Sequence, residues 1–169
     1  MAVIEKFLGR RVTVPEDRRY VPKTGLWAKA ASQDIIFGLT EPALVLSGGA
    51  NSLDWLVDHR QPVKTDEPVI CMITGKILFI DAPIGGTIVF NQAVKNAPSR
   101  ILEDPYGEGW IFTISPGGDL RPTMSHLSDV SAYLKSLEQT EGFKNPEGVI
   151  GGVSGICKAV YSGIREQKF

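Results

Sequence analysis

Lys76 is the residue whose type and position most clearly suggest chemistry, because it lies between two short apolar segments. Val69–Ile73 and Ile77–Ile80 are rich in Val, Ile and Phe, so each is predicted to form a buried strand. The join between them leaves room only for a tight turn, and Gly75 can adopt the positive φ that hairpin turns need. A lysine at such a tip is either a solvated surface charge or an amine presented for the attachment of a swinging acyl arm.

The other residues that could do chemistry lack the partners that catalysis requires. His59 and His126 have no nucleophile or carboxylate motif beside them, so both are predicted to be surface histidines. Cys71 lies inside an apolar segment and is expected to be a small buried hydrophobic residue rather than a reactive thiol. Gly48-Gly49 is followed by neither a Walker nor a dinucleotide-binding pattern, so a helix end and loop account for it. An independent hydrolase or nucleotide enzyme is therefore disfavoured.

Composition excludes several further classes of function. The chain has 169 residues, 43% of them hydrophobic, and a net charge of -1, which predicts one domain with an ordinary core and no nucleic-acid partner. Its apolar runs are too short to span a membrane. Charges interrupt the N-terminal segment, so no signal peptide is predicted. Cys71 and Cys157 form neither a disulfide framework nor a metal site, and the predicted compartment is a reducing cytoplasm.

The strands and helices around Lys76 follow from local patterns. Trp27–Leu39 is predicted to form two strands with a turn near residues 32–34. Thr40 is a good helix N-cap with Pro42 in the first turn, and the helix is expected to end at Ser47-Gly48. Further strands are predicted over residues 53–57, 87–90 and 110–112, and a short helix over residues 91–97.

An eight-residue motif in the second half of the chain carries a resemblance to a known family. It runs from Glu103 to Trp110, with the sequence E-D-P-Y-G-E-G-W, and eight residues separate it from Asn91-Gln92-Ala93-Val94. This pattern resembles the H protein of the glycine cleavage system, a lipoyl carrier, in which N-E-A-L precedes the same motif at the same spacing. Gly38-Leu39-Thr40 is similar to the family's G-I-T segment, and the resemblance covers Tyr20 to Ile114.

Two alignments compete for the lysine that carries the lipoyl group in that family. From Val63-Lys64 forward, the match runs without a gap and places Lys76 on the lysine of the family's E-S-V-K. Counting back from Asn91 places Thr74 there instead, because this chain is two residues shorter between the two landmarks. We assign Lys76, since a loss of two strand residues leaves every side chain on its own face and Thr74 has no amine to acylate. Ile73 stands where the family has the glutamate.

The resemblance implies a mainly β fold, a lipoyl-domain-like barrel-sandwich hybrid of two antiparallel sheets with short helices and a helical C-terminal appendage. Three segments are expected: an N-terminal arm over 1–19, the lipoyl domain over 20–116 and a C-terminal helical extension over 117–169. Within the arm, Arg11–Pro15 is either an edge strand or part of a loose segment. The spacing of Leu127, Val130, Leu134 and Leu137 predicts an amphipathic helix from Ser125 to about Glu138. A second apolar stripe follows, comprising Val153, Ile156, Cys157, Val160 and Ile164.

The resemblance also implies a function without catalysis. Lipoic acid would be amide-linked to Lys76 by a lipoate ligase or lipoyl transferase. The arm would accept an aminomethyl group from a glycine decarboxylase, pass it to an aminomethyltransferase and be reoxidised by dihydrolipoyl dehydrogenase, or would serve analogous enzymes. The alternative is a non-lipoylated H-like scaffold or regulatory interaction protein. Ile73, the two-residue deletion and Gly25-Leu26 in place of the family's His-Glu pair suggest a paralogue serving another pathway, against ordinary drift in a glycine cleavage carrier.

Overall fold

Two antiparallel sheets enclose the main apolar core, and short helices close its ends. The computed structural model describes residues 1–149. Its elements, in chain order, are β1 Ala2–Phe7, β2 Arg10–Val14, β3 Arg19–Val21, β4 Leu26–Ala31, β5 Asp34–Leu39, α1 Glu41–Ser47, β6 Ser52–Trp55, β7 Pro62–Val63, β8 Pro68–Ile73, β9 Ile77–Asp81, β10 Gly86–Phe90, α2 Gln92–Asn96, α3 Ser99–Glu103, β11 Phe112–Ser115, α4 Leu120–Ser125, α5 Val130–Leu137 and α6 Glu141–Lys144.

The larger sheet has six strands in the order β3-β4-β5-β11-β10-β7, and the smaller has three in the order β6-β8-β9. Every strand pair is antiparallel. Ile70 and Met72 of β8 are buried in the same core as Phe37, Ile88 and Phe112 of the larger sheet. Burying side chains of this size contributes about 1.5–3 kcal/mol each. The predicted fold class, a lipoyl-domain-like sandwich of antiparallel sheets, is confirmed.

The first residues form a hairpin rather than a loose arm. β1 pairs with β2 in a separate two-stranded sheet. The hairpin contributes three buried side chains to a second apolar cluster, which consists of Phe7, Val12, Val14, Tyr20, Trp27, Tyr133 and Leu137. The residues of this cluster come from all three segments expected from the sequence. The division of the chain into segments at residues 19/20 and 116/117 stays a prediction.

The helix predicted over residues 125–138 is divided, so its N-terminal part was predicted wrongly. Regular helix begins at Val130, where the Asp129 side chain accepts a hydrogen bond from the N–H of Ala132 at 2.8 Å. The preceding residues form a turn in which the backbones of Ser128 and Tyr20 exchange hydrogen bonds of 2.8 and 2.9 Å. Pairing with β3 therefore takes these backbone groups away from the helix. The second apolar stripe lies outside the described residues.

Candidate attachment site at the turn of residues 74–76

Lys76 lies at the exposed tip of the hairpin that joins β8 and β9. Ile73 pairs with Ile77 across the two strands, so the turn consists of residues 74–76. Lys76 is exposed, which confirms its predicted position at a tight turn. Gly75 does not use the positive φ that is open to glycine, and an added Cβ at Gly75 would have no neighbour within 4 Å. Neither the backbone conformation nor the space around position 75 therefore requires a glycine there.

The side chain of Thr74 determines the geometry of this turn. Thr74 is buried, and its hydroxyl donates to the carbonyl oxygen of Lys76 at 3.1 Å. The hydroxyl oxygen also accepts a hydrogen bond from the Lys76 N–H at 3.1 Å. The N–H of Thr74 donates to the Lys76 carbonyl oxygen as well, at 2.8 Å. These bonds fix the backbone of Lys76 while its side chain projects into solvent.

Apolar side chains surround Lys76 on the outer face of the smaller sheet. Ile77 and Phe79 of β9 are 60% and 61% exposed. Cys71 pairs with Phe79 across the sheet and is half-buried, so the prediction that it is a fully buried hydrophobic residue was wrong. The alternation of the strand explains this, because Ile70 and Met72 point into the core and Cys71 points outward. An exposed apolar surface therefore lies next to Lys76.

A pocket of about 270 Å³ opens beside Lys76. It lies between the β3–β4 turn, helix α1, the start of β9 and the residues of α5 and its C-terminal end. The residues that line it are Pro22, Lys23, Thr24, Gly25, Ala43, Leu46, Ser47, Lys76, Leu78, Tyr133, Ser136, Leu137 and Thr140. Sequence reasoning did not find this pocket, since its walls come from segments far apart in the chain. An exposed amine beside an open, largely apolar pocket fits a flexible arm that carries its reactive end away from the lysine.

Hydrogen bonds connect the motif of residues 103–110 to the larger sheet, to the N-terminal hairpin and to helix α1. The indole N–H of Trp27 donates to the carbonyl oxygen of Pro105 at 2.9 Å. The Tyr106 hydroxyl donates to the carbonyl oxygen of Thr13 at 2.5 Å and accepts from the N–H of Glu41 at 2.9 Å. Tyr106 thus joins the motif to the N-terminal hairpin and to the start of α1. These contacts support the structural role predicted for the motif.

Asn91 connects the motif to helix α2. Its side-chain amide donates to the carbonyl oxygens of Glu108 and Trp110 at 3.2 and 2.7 Å, while its carbonyl oxygen accepts from the N–H of Ala93 at 3.1 Å. Space explains Gly109, because an added Cβ would lie 2.6 Å from the carbonyl oxygen of Arg100. The two halves of the sequence pattern are therefore in direct contact.

The two histidines considered as catalytic candidates do not line the pocket beside Lys76. His59 and His126 are both exposed, as predicted. The Nδ1 atom of His59 accepts a hydrogen bond from the N–H of Phe90 at 3.2 Å, and its ring stacks on Trp55. Within residues 1–149, no cluster of three or more His, Cys, Asp or Glu side chains is placed to hold a metal ion. No helix in that range is long and apolar enough to cross a membrane.

Comparison with known proteins identifies relatives along most of the chain. The family described as "Glycine cleavage H-protein" matches residues 18–140. The glycine cleavage system H protein of Anaeromyxobacter sp. (strain K) is 33% identical over 130 residues, which cover 76% of this chain and 98% of the relative. That of Thermus thermophilus is 34% identical over 129 residues, covering 74% and 96%. The crystal structure of the H protein from Mycobacterium marinum matches with a TM-score of 0.59 at 26% identity, covering 72% and 97%.

The fold and the family match define a non-catalytic carrier protein, whose cofactor is bound covalently and supplies the reactive atoms. The chain belongs to the glycine cleavage H-protein family. It is a lipoyl carrier, and lipoic acid is the cofactor of its family. The chain therefore contributes attachment and positioning, whereas the bound group carries the reaction.

Proposed function

We propose that Lys76 is the attachment site of lipoic acid in this carrier. The observation that carries the proposal is the exposure of Lys76 at the turn between β8 and β9, with the pocket beside it. The competing alignment position, Thr74, is buried, bonded to the turn and without an amine. Acylation converts the Lys76 ammonium into a neutral amide, so the modified tip is compatible with the apolar side chains of Ile77 and Phe79.

The protein's contribution to the chemistry is positioning. The lipoyl group, when bound, supplies a disulfide whose thiols take up and release a transferable group. Thr74 holds the Lys76 backbone, so the arm starts from a fixed point. The pocket lined by Leu46, Leu78 and Leu137 offers the arm an apolar surface between visits to enzymes. Ile77 and Phe79 are the exposed apolar side chains nearest to the attachment point on β9, so they offer a contact surface to enzymes that act on the arm.

The proposed partners are the enzymes of a glycine cleavage system. They comprise a glycine decarboxylase, an aminomethyltransferase and dihydrolipoyl dehydrogenase, with a lipoate ligase or lipoyl transferase for attachment. Family membership and the glycine cleavage names of the relatives support this assignment. The proposed compartment is a reducing cytoplasm, in which the half-buried thiol of Cys71 stays reduced.

A second candidate is a paralogue that serves analogous enzymes in another pathway. It is favoured by two apolar side chains, Ile73 and Leu26, at positions where the family carries acidic residues. Leu26 is fully buried and Ile73 is half-buried beside the arm. Charged surface groups select partners, so the apolar Ile73 is the change that can alter docking, whereas Leu26 belongs to the core. If the chain is such a paralogue, the lipoylated protein should fail to support glycine–bicarbonate exchange with a standard glycine decarboxylase. Full exchange would refute the paralogue and support an ordinary glycine cleavage carrier.

Intact mass spectrometry of the protein from its native source tests the attachment site. We expect one lipoyl increment, which maps to the peptide containing Lys76 and disappears in Lys76→Arg. Lys64→Arg is the matched control, because Lys64 is also exposed but belongs to another turn. A native protein that carries no lipoyl group would support the scaffold hypothesis instead, and a lipoyl group on another lysine would refute the assignment of Lys76.

A further inference from the structure

The two ends of the described chain form a joint structure outside the segment shared with the family. The family match covers residues 18–140. Residues 1–17, which contain the hairpin of β1 and β2, and residues 141–149, which contain α6, lie on either side of it in the sequence. Helix α6 packs against β1 and α1, so the two flanking segments meet in space. We call residues 1–17 and 141–149 together the terminal clasp.

Backbone hydrogen bonds and one buried ring close the terminal clasp. The N–H of Leu8 donates to the carbonyl oxygen of Gly142 at 3.1 Å, and the N–H of Gly9 donates to that of Pro146 at 2.8 Å. The ring of Phe7 is fully buried and packs against Gly142, where an added Cβ would overlap it. The N-terminal hairpin therefore fixes the backbone at residue 142, and a glycine is needed there because the ring leaves no space for a side chain.

Two residues of α5 connect the terminal clasp to the pocket beside Lys76. Tyr133 and Leu137 belong to the second apolar cluster, in which Phe7 is also buried. The same two residues line the pocket. Closely packed interiors transmit displacements from one side chain to the next, because they hold few voids that could absorb them. A movement of the Phe7 ring is therefore expected to reach the wall of the pocket.

Two fixed points hold residues 136–140, which form part of this wall. Before them, Tyr133 stacks on Tyr20 with ring centroids 4.7 Å apart, and its hydroxyl hydrogen-bonds to that of Thr40 at 2.5 Å. These partners lie inside the family-matched segment. After them, the backbone of Gly142 is held by the terminal clasp. Loss of the clasp would leave residues 136–140 fixed at one end.

We infer that the terminal clasp holds one wall of the pocket and so determines how much of the time the arm stays in it, with Phe7 as a positioning residue. The inference rests on the proposed attachment of the arm to Lys76. A wall fixed at both ends keeps a surface in place for the arm. A wall fixed at one end opens locally, and the arm is retained less because the binding-competent form is less populated. Contacts outside the family-matched segment then set the exposure of the arm to enzymes.

Gly142→Ala and Phe7→Ala open the terminal clasp from its two sides, the first by displacing the ring and the second by removing it. Phe7→Leu keeps a large apolar side chain, and Val3→Ser alters an exposed residue of the same hairpin, so these two variants are the controls. In the unmodified full chain, amide exchange at residues 136–140 should accelerate in the two opening variants and stay close to the parent in the controls. Exchange at Ile88 of β10 should not change, which separates local release from global unfolding.

The lipoylated full chain measures the consequence for the arm. With Cys71→Ser and Cys157→Ser, the thiols of the reduced arm are the thiols of the protein, and each adds across the double bond of a maleimide. A maleimide joined to a polyethylene glycol chain is too large for a pocket of about 270 Å³, so it reports the arm outside the pocket. Its reaction should be several-fold faster in Gly142→Ala and Phe7→Ala than in the parent, and Phe7→Leu should restore most of the parent rate.

Two results would overturn the inference while the proposed function stands. One is an equal rate of maleimide addition in the parent and in both opening variants, with the lipoyl group mapped to Lys76. The other is unchanged amide exchange at residues 136–140 in those variants. A lipoyl group found on a lysine other than Lys76, or on none, would instead refute the proposed function, and the inference would fail with it.

Discussion

The buried hydroxyl of Thr74 bonds to both backbone polar groups of Lys76, the residue that projects into solvent at the turn. Substitution of Thr74 by Val keeps the shape but removes both bonds. We expect a loss of about 1 kcal/mol in the free energy of unfolding, because the Lys76 N–H loses its acceptor, while the Lys76 carbonyl oxygen keeps the hydrogen bond from the Thr74 N–H. Urea denaturation measures this loss, and amide exchange at Lys76 should accelerate. Thr74→Ser keeps the hydroxyl and is the control; equal behaviour of the two variants would contradict the role given to the hydroxyl.

Ile77 and Phe79 are predicted to act in recognition rather than in stability. The double substitution Ile77→Ser and Phe79→Ser removes exposed side chains, so the free energy of unfolding should change by only about 0.5 kcal/mol per site. The rate of lipoylation, and of reduction of the arm by a dihydrolipoyl dehydrogenase, should fall several-fold. Val3→Ser on β1 is the control, since Val3 is 42% exposed on a different sheet. Unchanged rates in the double variant would show that partners do not use this surface.

Asn91 is predicted to be the most sensitive polar residue outside the attachment site. Asn91→Asp keeps the oxygen that caps α2 but replaces two donated hydrogen bonds with a carboxylate facing the carbonyl oxygens of Glu108 and Trp110. We expect a loss of about 2–4 kcal/mol in the free energy of unfolding, because those carbonyls lose their donors beside a negative charge. Thermal unfolding monitored by circular dichroism measures it. Asn91→Ser, which keeps a capping oxygen without the charge, should lose less; the reverse order would refute this account.

Tyr133 is predicted to make the stability of the protein fall at alkaline pH. Burial raises the pKa of Tyr133 to about 12, and a hydrogen bond with Thr40 lowers it only in part. Burial also raises the pKa of Tyr20 and Tyr106. In the unfolded chain the phenol ionises near pH 10, so the stabilising contribution is complete below pH 10 and is lost as pH rises toward 12.

Urea unfolding between pH 9 and 12 tests this dependence. The free energy of unfolding should fall by about 1–3 kcal/mol through Tyr133 alone, since each unit of pKa difference corresponds to about 1.4 kcal/mol. Tyr133→Phe should be less stable at pH 8 but should show a shallower decline. Parallel curves for the two proteins would mean that Tyr133 does not contribute to the decline.

Sequence patterns over a few residues correctly predicted the turns and helix ends that depend on residues adjacent in the chain. Two apolar runs with a three-residue join were enough to predict the turn that carries Lys76, and Thr40 with Pro42 predicted the start of α1. The division of the predicted helix at Ser128 was missed, because its partner Tyr20 is far away in sequence. Gly38 was recognised only as part of a motif, although an added Cβ there would lie 2.6 Å from the ring of Trp27.

Local sequence patterns could not predict the pocket either, because the residues that line it are far apart in the chain. Thr24, Ser47 and Ser136 belong to three separate elements, and only the tertiary fold brings them together beside Lys76. The sequence still marked one side of it, since Gly25-Leu26 departs from the family's His-Glu pair immediately after Thr24.

The second apolar cluster also determines when the chain can finish folding during its synthesis. Phe7 leaves the ribosome early, yet its ring packs against Gly142 and lies 6.0 Å from that of Phe143. Proteins are made from the N-terminus, so the hairpin of β1 and β2 must wait for almost the whole described chain before Phe7 can be buried. A nascent chain stalled before Tyr133 would therefore expose this hairpin to chaperones and proteases, whereas one released after Lys144 could close the cluster at once.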